Sequence, residues 1–196
     1  IDIYEHRIAV DLITQHHVTN DDGFIPGVSC WGAYVLDSAS NLVDVFKARK
    51  TMLATGGAAQ IYSHNTNPDV STGDGMAMAR LAGARLANME FVQFHPTAFW
   101  SPEGETFLIS EALRGEGAQL RLIDGSSFME NYHPQSSLAP RDIVSRAIDS
   151  ELKRRGEKFC WLDATKVPKE QLKKHFPYID NRLQERGIDF TVEPIP

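Results

Sequence analysis

Three features predict a mixed α/β chain with a boundary between two structural units near residues 88–92. Residues 1–48 hold three β-rich runs separated by polar turns. Paired glycines follow an apolar run at Ala54-Thr55-Gly56-Gly57. Beyond Asn88 the texture changes to the dense apolar and aromatic run MEFVQFHPTAFW, and a strongly patterned helix starts near Pro140.

In chain order, IAVDLIT at residues 8–14 reads as a strand. After the loop Asn20-Asp21-Asp22-Gly23, candidate strands at residues 29–36 and 41–48 flank the polar turn Asp37-Ser38-Ala39-Ser40, giving a hairpin or small meander. Residues 51–54 are expected to form a short buried strand. Residues 75–86 read as a helix because Met76, Ala79, Ala82 and Leu86 recur at helical spacing, with Asp74 at its N-cap. The loop Ser101-Pro102-Glu103-Gly104-Glu105 precedes the second strong helix, whose Pro140 suits the first helical position. Ile143, Val144, Ala147, Ile148 and Leu152 line one face of it. Lys153-Arg154-Arg155-Gly156 closes it with cations and a glycine. FCWLD is strand-like, and shorter helical patterns follow at residues 169–175 and 178–186.

The 196 residues carry a net charge of −6, with 42% hydrophobic and 23% charged residues, an ordinary globular balance. The acidic excess argues against a nucleic-acid footprint, while leaving room for a local arginine pocket. Cys30 and Cys160 lie far apart and no Cys/His spacing suits zinc, so a reduced cytoplasmic chain without a metal is expected. No apolar run reaches membrane-spanning length, so no membrane partner is expected. The first residue is Ile1 and the last four are Glu193-Pro194-Ile195-Pro196, from which an internal piece of a longer protein is expected.

Five short motifs carry possible chemistry. Thr55-Gly56-Gly57 lets a backbone approach a flat or anionic ligand without a Cβ in the way, although a plain strand-to-helix turn needs the same glycines. Ser71-Thr72-Gly73-Asp74-Gly75 leads into a helix and offers free N–H groups; Asp74 either caps that helix or accepts from a ligand hydroxyl. His95, held extended by Pro96, can donate to a carboxylate or be a satisfied core residue. In Ser110-Glu111-Ala112-Leu113-Arg114, a helix would make Glu111 and Arg114 neighbours, as a buried relay or as a surface ion pair. Arg141 sits in the first turn of its helix, where the dipole disfavours a cation. That cost suggests a grip on a carboxylate, with a local pair to Asp142 or Glu111 as the simpler account.

Together the motifs point further. The string ATGGAAQIYSHNTNPDVSTGDGMAMARLAGARLANMEFVQFHPTAF closely resembles the second half of the FAD-binding domain in the fumarate reductase, succinate dehydrogenase and L-aspartate oxidase flavoprotein superfamily. SEALRGEGAQL and LAPRDIVSRAI are similar to stretches of its capping domain. The resemblance implies a Rossmann-like, glutathione-reductase-type segment over residues 1–91, incomplete because no GxGxxG turn is present, and an α+β cap over residues 92–196. The wording TNPD, LANMEFVQFHPTAF and LAPRDIVSRAID, with Pro140 and the tail HFPYIDNRLQERGIDFTVEPIP, is most similar to the aspartate-oxidizing branch. A fumarate reductase or succinate dehydrogenase flavoprotein is the alternative.

The resemblance also implies roles. Ile8 and Ala9 fall on the strand that meets the adenine end of non-covalently bound FAD, Thr55, Gly56 and Gly57 lie close to the cofactor, and Asp74 matches an FAD-contacting aspartate. His95 and Ser110 match substrate-binding positions, the latter more often threonine. Glu111 and Arg114 match a proton-relay pair, and Arg141 matches the catalytic arginine, which also binds substrate. The implied reaction is oxidation of L-aspartate to iminoaspartate with oxygen or fumarate as acceptor. It serves quinolinate and NAD synthesis, with a functional link to quinolinate synthase. Because the pyrophosphate-binding turn is missing, we predict that the isolated chain binds FAD weakly or not at all and has no turnover. A flavin-coloured, aspartate-oxidizing preparation of it would overturn this expectation.

Overall fold

The N-terminal runs fold as an antiparallel meander in the computed structural model, which describes residues 1–19, 27–103 and 106–196. Strand β1 (Arg7–Thr14) pairs with β2 (Cys30–Asp37), and β2 with β3 (Leu42–Lys47), in the order β1-β2-β3. Between β1 and β2 lies the single helical turn α1 (His16–Thr19). The pairing of β1 slips between Ala9 and Asp11 and again between Leu12 and Thr14, the signature of bulges that bend a strand and re-aim its side chains. The strands expected at residues 8–14, 29–36 and 41–48 are all present within a residue or two. The expected loop at residues 20–23 and the last two residues of that at 101–105 lie outside the described residues.

Two expectations for the following stretch are corrected. Residues 51–54 form no strand and are exposed, because no neighbour among the described residues pairs with their backbone. The helix α2 spans Asp74–Leu81, shorter than expected, and its N-cap is Gly73 rather than Asp74, with no side-chain capping bond. Gly83, at φ +84°, ends α2 in a Schellman arrangement: its N–H donates to the Arg80 carbonyl and the N–H of Ala84 to that of Ala79. The apolar spacing at Ala82 and Leu86 continues beyond a glycine that has already stopped the helix.

The later part is better consolidated. A short ribbon joins residues 97–99 to 107–109, with Phe99 N–H donating to the Phe107 carbonyl and Ile109 N–H to that of Thr97. Helix α3 (Glu111–Gly115) follows, then β4 (Gln119–Arg121), α4 (Arg141–Arg155), β5 (Trp161–Asp163), α5 (Lys169–His175) and α6 (Pro177–Gln184). Strands β4 and β5 pair antiparallel, and Leu162 exchanges both backbone bonds with Ile195 on its other side. Pro140 lies at the N-cap of α4, one place before the first helical position expected for it, and Gly156 at φ +67° ends that helix as anticipated. No helix among the described residues is long and apolar enough to cross a membrane.

The chain divides into two compact units, Ile1–Ser63 with Asn67–Phe91 and His64–Thr66 with Val92–Pro196. They differ sharply in packing. The larger unit has a continuous core that includes Leu113, Leu120, Met129, Val144, Leu172 and Phe190. In the smaller unit the only buried hydrophobic side chains among the described residues are Leu12 and Met78, while Ile8, Val10, Val43 and Val45 stay exposed. Leu172→Ala should therefore cost about 2–5 kcal/mol in a urea melt. Leu81→Ala, which removes a largely exposed side chain, should cost no more than about 0.5 kcal/mol. Equal losses at the two positions would refute this division of the core.

Candidate functional site

In the smaller unit, two glycine turns pack together. Gly56 takes φ +73°, and a Cβ at Gly56 or Gly57 would meet nothing within 4 Å, so no internal packing uses the space beside them. Gly75 differs: a Cβ there would lie 2.8 Å from Thr55 Cβ. The turn at residues 55–57 can therefore lie against the start of α2 only because residue 75 has no side chain. The Ser71 carbonyl accepts from Gln60 N–H at 3.1 Å and ties the short helical turn at residues 59–61 to the segment that leads into α2. Asp74, freed from capping, is an exposed carboxylate in the first turn of α2. On β1, Ile8 faces Leu36 and Ala9 faces Val35, immediately before the first bulge, with Ile8 half exposed. An open glycine turn, an unengaged carboxylate and an exposed strand face suit a flat cofactor with hydroxyl groups.

In the larger unit, Ser110 Oγ accepts the Ala112 N–H at 3.2 Å and so caps α3. The helix places Glu111 and Arg114 one turn apart. Glu111 receives Arg141 Nε at 2.5 Å on one oxygen and stands 3.6 Å from Arg114 Nη2 with the other. The partner of Arg141 is thus Glu111, while Asp142 pairs instead with Arg146. The arginines differ in setting: the Arg141 side chain is 44% exposed, that of Arg114 0%. Arg114 Nη1 donates to the Ser137 carbonyl at 2.6 Å, and its Nε and Nη2 have no hydrogen-bond partner among the described residues. Glu111, at 38% exposure, is a half-open acid rather than a fully buried one.

His95 belongs to the same cluster. Its Nδ1 lies 3.1 Å from the Thr97 carbonyl oxygen and 3.3 Å from the Thr97 amide nitrogen, so its local bonding uses Nδ1 and leaves Nε2 available. Burial, and then the charges of Arg141 and Arg114, hold its pKa below the ordinary 6.5 against the opposing pull of Thr97 and Glu111. The hydrogen bond from Arg141 holds the Glu111 carboxyl below its usual range, with both arginine charges acting in the same sense. Burial pushes the Arg114 guanidinium down, opposed by Glu111. Beside Arg141 opens a cleft of about 460 Å³, lined by Val92, Gln93 and Phe94 and by Asp142, Ser145 and Arg146 of α4.

His95, Glu111, Arg114 and Arg141 therefore share one electrostatic neighbourhood, with Ser110 holding the helix that carries two of them. Sequence reasoning passed over Ser137, which acts through a backbone carbonyl that no side-chain pattern reveals, and the steric demand at Gly75. A glycine in a helix's first turn is the signal that flags the second.

The His95 ring should titrate below 6.5 by NMR, lower still in Glu111→Gln and higher in Arg141→Leu. A midpoint that neither substitution moves would refute the shared field. The folded ring binds a proton less readily than the unfolded one. Its contribution to stability is complete above about pH 6.5 and is lost as the pH falls below that. Glu111 acts with the same sign at lower pH, its contribution present above 4.5 and lost as pH falls through its depressed folded value.

Comparison with known proteins concerns the chain as a whole. The FAD binding domain family model covers residues 1–196. The L-aspartate oxidase of Pseudomonas aeruginosa is 50% identical over 196 residues, which are 100% of this chain and 36% of that protein. That of Vibrio cholerae is 49% identical over the same lengths and shares. Among solved structures, the E. coli quinol fumarate reductase superposes with a TM-score of 0.77 at 30% identity, covering 97% of this chain and 33% of that one. The chain spans about a third of the length of the curated relatives it matches. On the full-length match of the family model, the chain belongs to the FAD binding domain family.

Proposed function

We propose that this chain is a segment of an FAD-dependent L-aspartate oxidase. The observation that carries the proposal is the cluster of His95, Glu111, Arg114 and Arg141, joined to the half identity over the whole chain with L-aspartate oxidases. Residues 1–91 would be part of a Rossmann-like, glutathione-reductase-type FAD domain, and residues 92–196 an α+β cap. Ile8, Ala9, Thr55, Gly56, Gly57 and Asp74 would hold the cofactor, with Asp74 accepting from a hydroxyl and the glycine backbone approaching a flat ring. FAD, when bound, supplies the acceptor for the hydrogen and electron pair that leave the substrate Cα.

The protein's own part is electrostatic and geometric. Arg141 grips one carboxylate of L-aspartate with guanidinium donors not used by Glu111. His95, bonded to Thr97 through Nδ1, would present Nε2 to the other carboxylate. Ser110 keeps α3 in register and offers its hydroxyl at the same edge. Oxidation removes the Cα hydrogen with its electron pair and one ammonium proton, leaving iminoaspartate. Arg141 would bind and polarise the dicarboxylate rather than give up a proton in this direction. Glu111 orients it and, with Arg114 behind, forms a path along which a proton can be replaced if one is lost in the reverse, fumarate-reducing direction. Oxygen or fumarate would be the final acceptor, and the product would feed quinolinate synthesis.

The FAD-loaded full-length enzyme should release peroxide with L-aspartate and none with succinate. Arg141→Leu should lower kcat/KM for aspartate at least about a hundredfold, the loss expected when a charge-assisted, two-bonded carboxylate contact disappears. Oxidation of succinate without a response to aspartate would move the chain to the fumarate reductase and succinate dehydrogenase branch.

A further inference from the structure

We infer that Ser145 is a positioning residue: its hydroxyl clamps the backbone of Phe94 to α4 and so sets the span between His95 and Arg141. The inference rests on the proposal that these two residues bridge a dicarboxylate. Ser145 lies one turn after Arg141 on α4, on the same helix face. Its Oγ donates to the Phe94 carbonyl at 3.0 Å, across 51 residues of sequence. A serine within a helix ordinarily turns its hydroxyl back to the carbonyl four residues earlier. Here that hydroxyl reaches a different segment, and the segment it holds carries His95 at the next position.

The clamp sits where it can control geometry. Phe94 and Ser145 both line the cleft beside Arg141, so the hydrogen bond joins two of the segments that form it. Without the serine hydroxyl, the residues preceding His95 lose a direct tie to the helix that presents Arg141. The chemistry at either end is untouched, since Ser145 contributes no donor to His95 or Arg141.

The test is steady-state kinetics of the FAD-loaded full-length enzyme with L-aspartate. Ser145→Ala should raise KM about fivefold with kcat changed less than about twofold, the size expected when one neutral hydrogen bond that orients a binding group is lost. Ser145→Thr, which keeps a hydroxyl, should return KM to within about twofold of the parent. Arg141→Leu serves as the control for the binding site itself. If Arg141→Leu abolishes turnover while Ser145→Ala leaves KM unchanged, the clamp is overturned and the dicarboxylate proposal stands. If Arg141→Leu has no effect either, both fall. A folded, flavin-loaded Ser145→Thr with the same raised KM as the alanine variant also overturns the role of the hydroxyl.

Discussion

Taking the guanidinium of Arg114 out of water is the costly step around which the polar cluster of the larger unit is arranged. A buried cation is tolerated only where charge and hydrogen bonds replace what water supplied. The replacement is partial: one short bond to the Ser137 carbonyl and the negative charge of Glu111 a little beyond hydrogen-bond reach. Glu111 in turn is held by Arg141, so a single carboxylate answers two cations. Its position is fixed by a five-residue helix that could not survive alone and is pinned at both ends. Ser110 caps its start, and Glu116, just past its end, is held by Gln171 and His175 of α5.

This arrangement explains why Arg141 can stand at the N-terminal turn of α4. The helix dipole disfavours a cation there, and the ion pair with Glu111 offsets that cost from outside the helix. The same pair leaves the Arg141 side chain partly exposed beside the cleft. Polar groups are thus graded across the cluster, from a fully buried arginine through a half-open acid to an accessible arginine.

Much of this was legible in the sequence because it is written in local chemistry. Pro140 and Gly156 bracket α4, polar turns separate the strands of the meander, and a cation at the wrong end of a helix flags Arg141. What escaped depends on partners remote in sequence. Residues 51–54 have the composition of a buried strand, yet a strand exists only where another pairs with it. The extent of α2 was misjudged because helical spacing was followed past Gly83, whose left-handed conformation had already ended the helix. Asp74 has the residue type of an N-cap, but Gly73 occupies that place, so its carboxylate is left for another use. The anchor of Arg114 is a main-chain carbonyl, to which side-chain identity contributes nothing.

The contact between Thr55 and Gly75 has a consequence for how such a chain can diverge. Thr55 Cβ stands where even the smallest side chain at residue 75 would have to pass, so trimming the threonine to alanine does not make room. Residue 75 is therefore not free to gain a side chain while residue 55 keeps its Cβ. Any descendant that gains a side chain at 75 must first open the two turns, and with them the glycine surface at Gly56 and Gly57. The position behaves as a lock between two short loops, and its conservation across descendants would record the spacing of those loops rather than any chemistry of glycine itself.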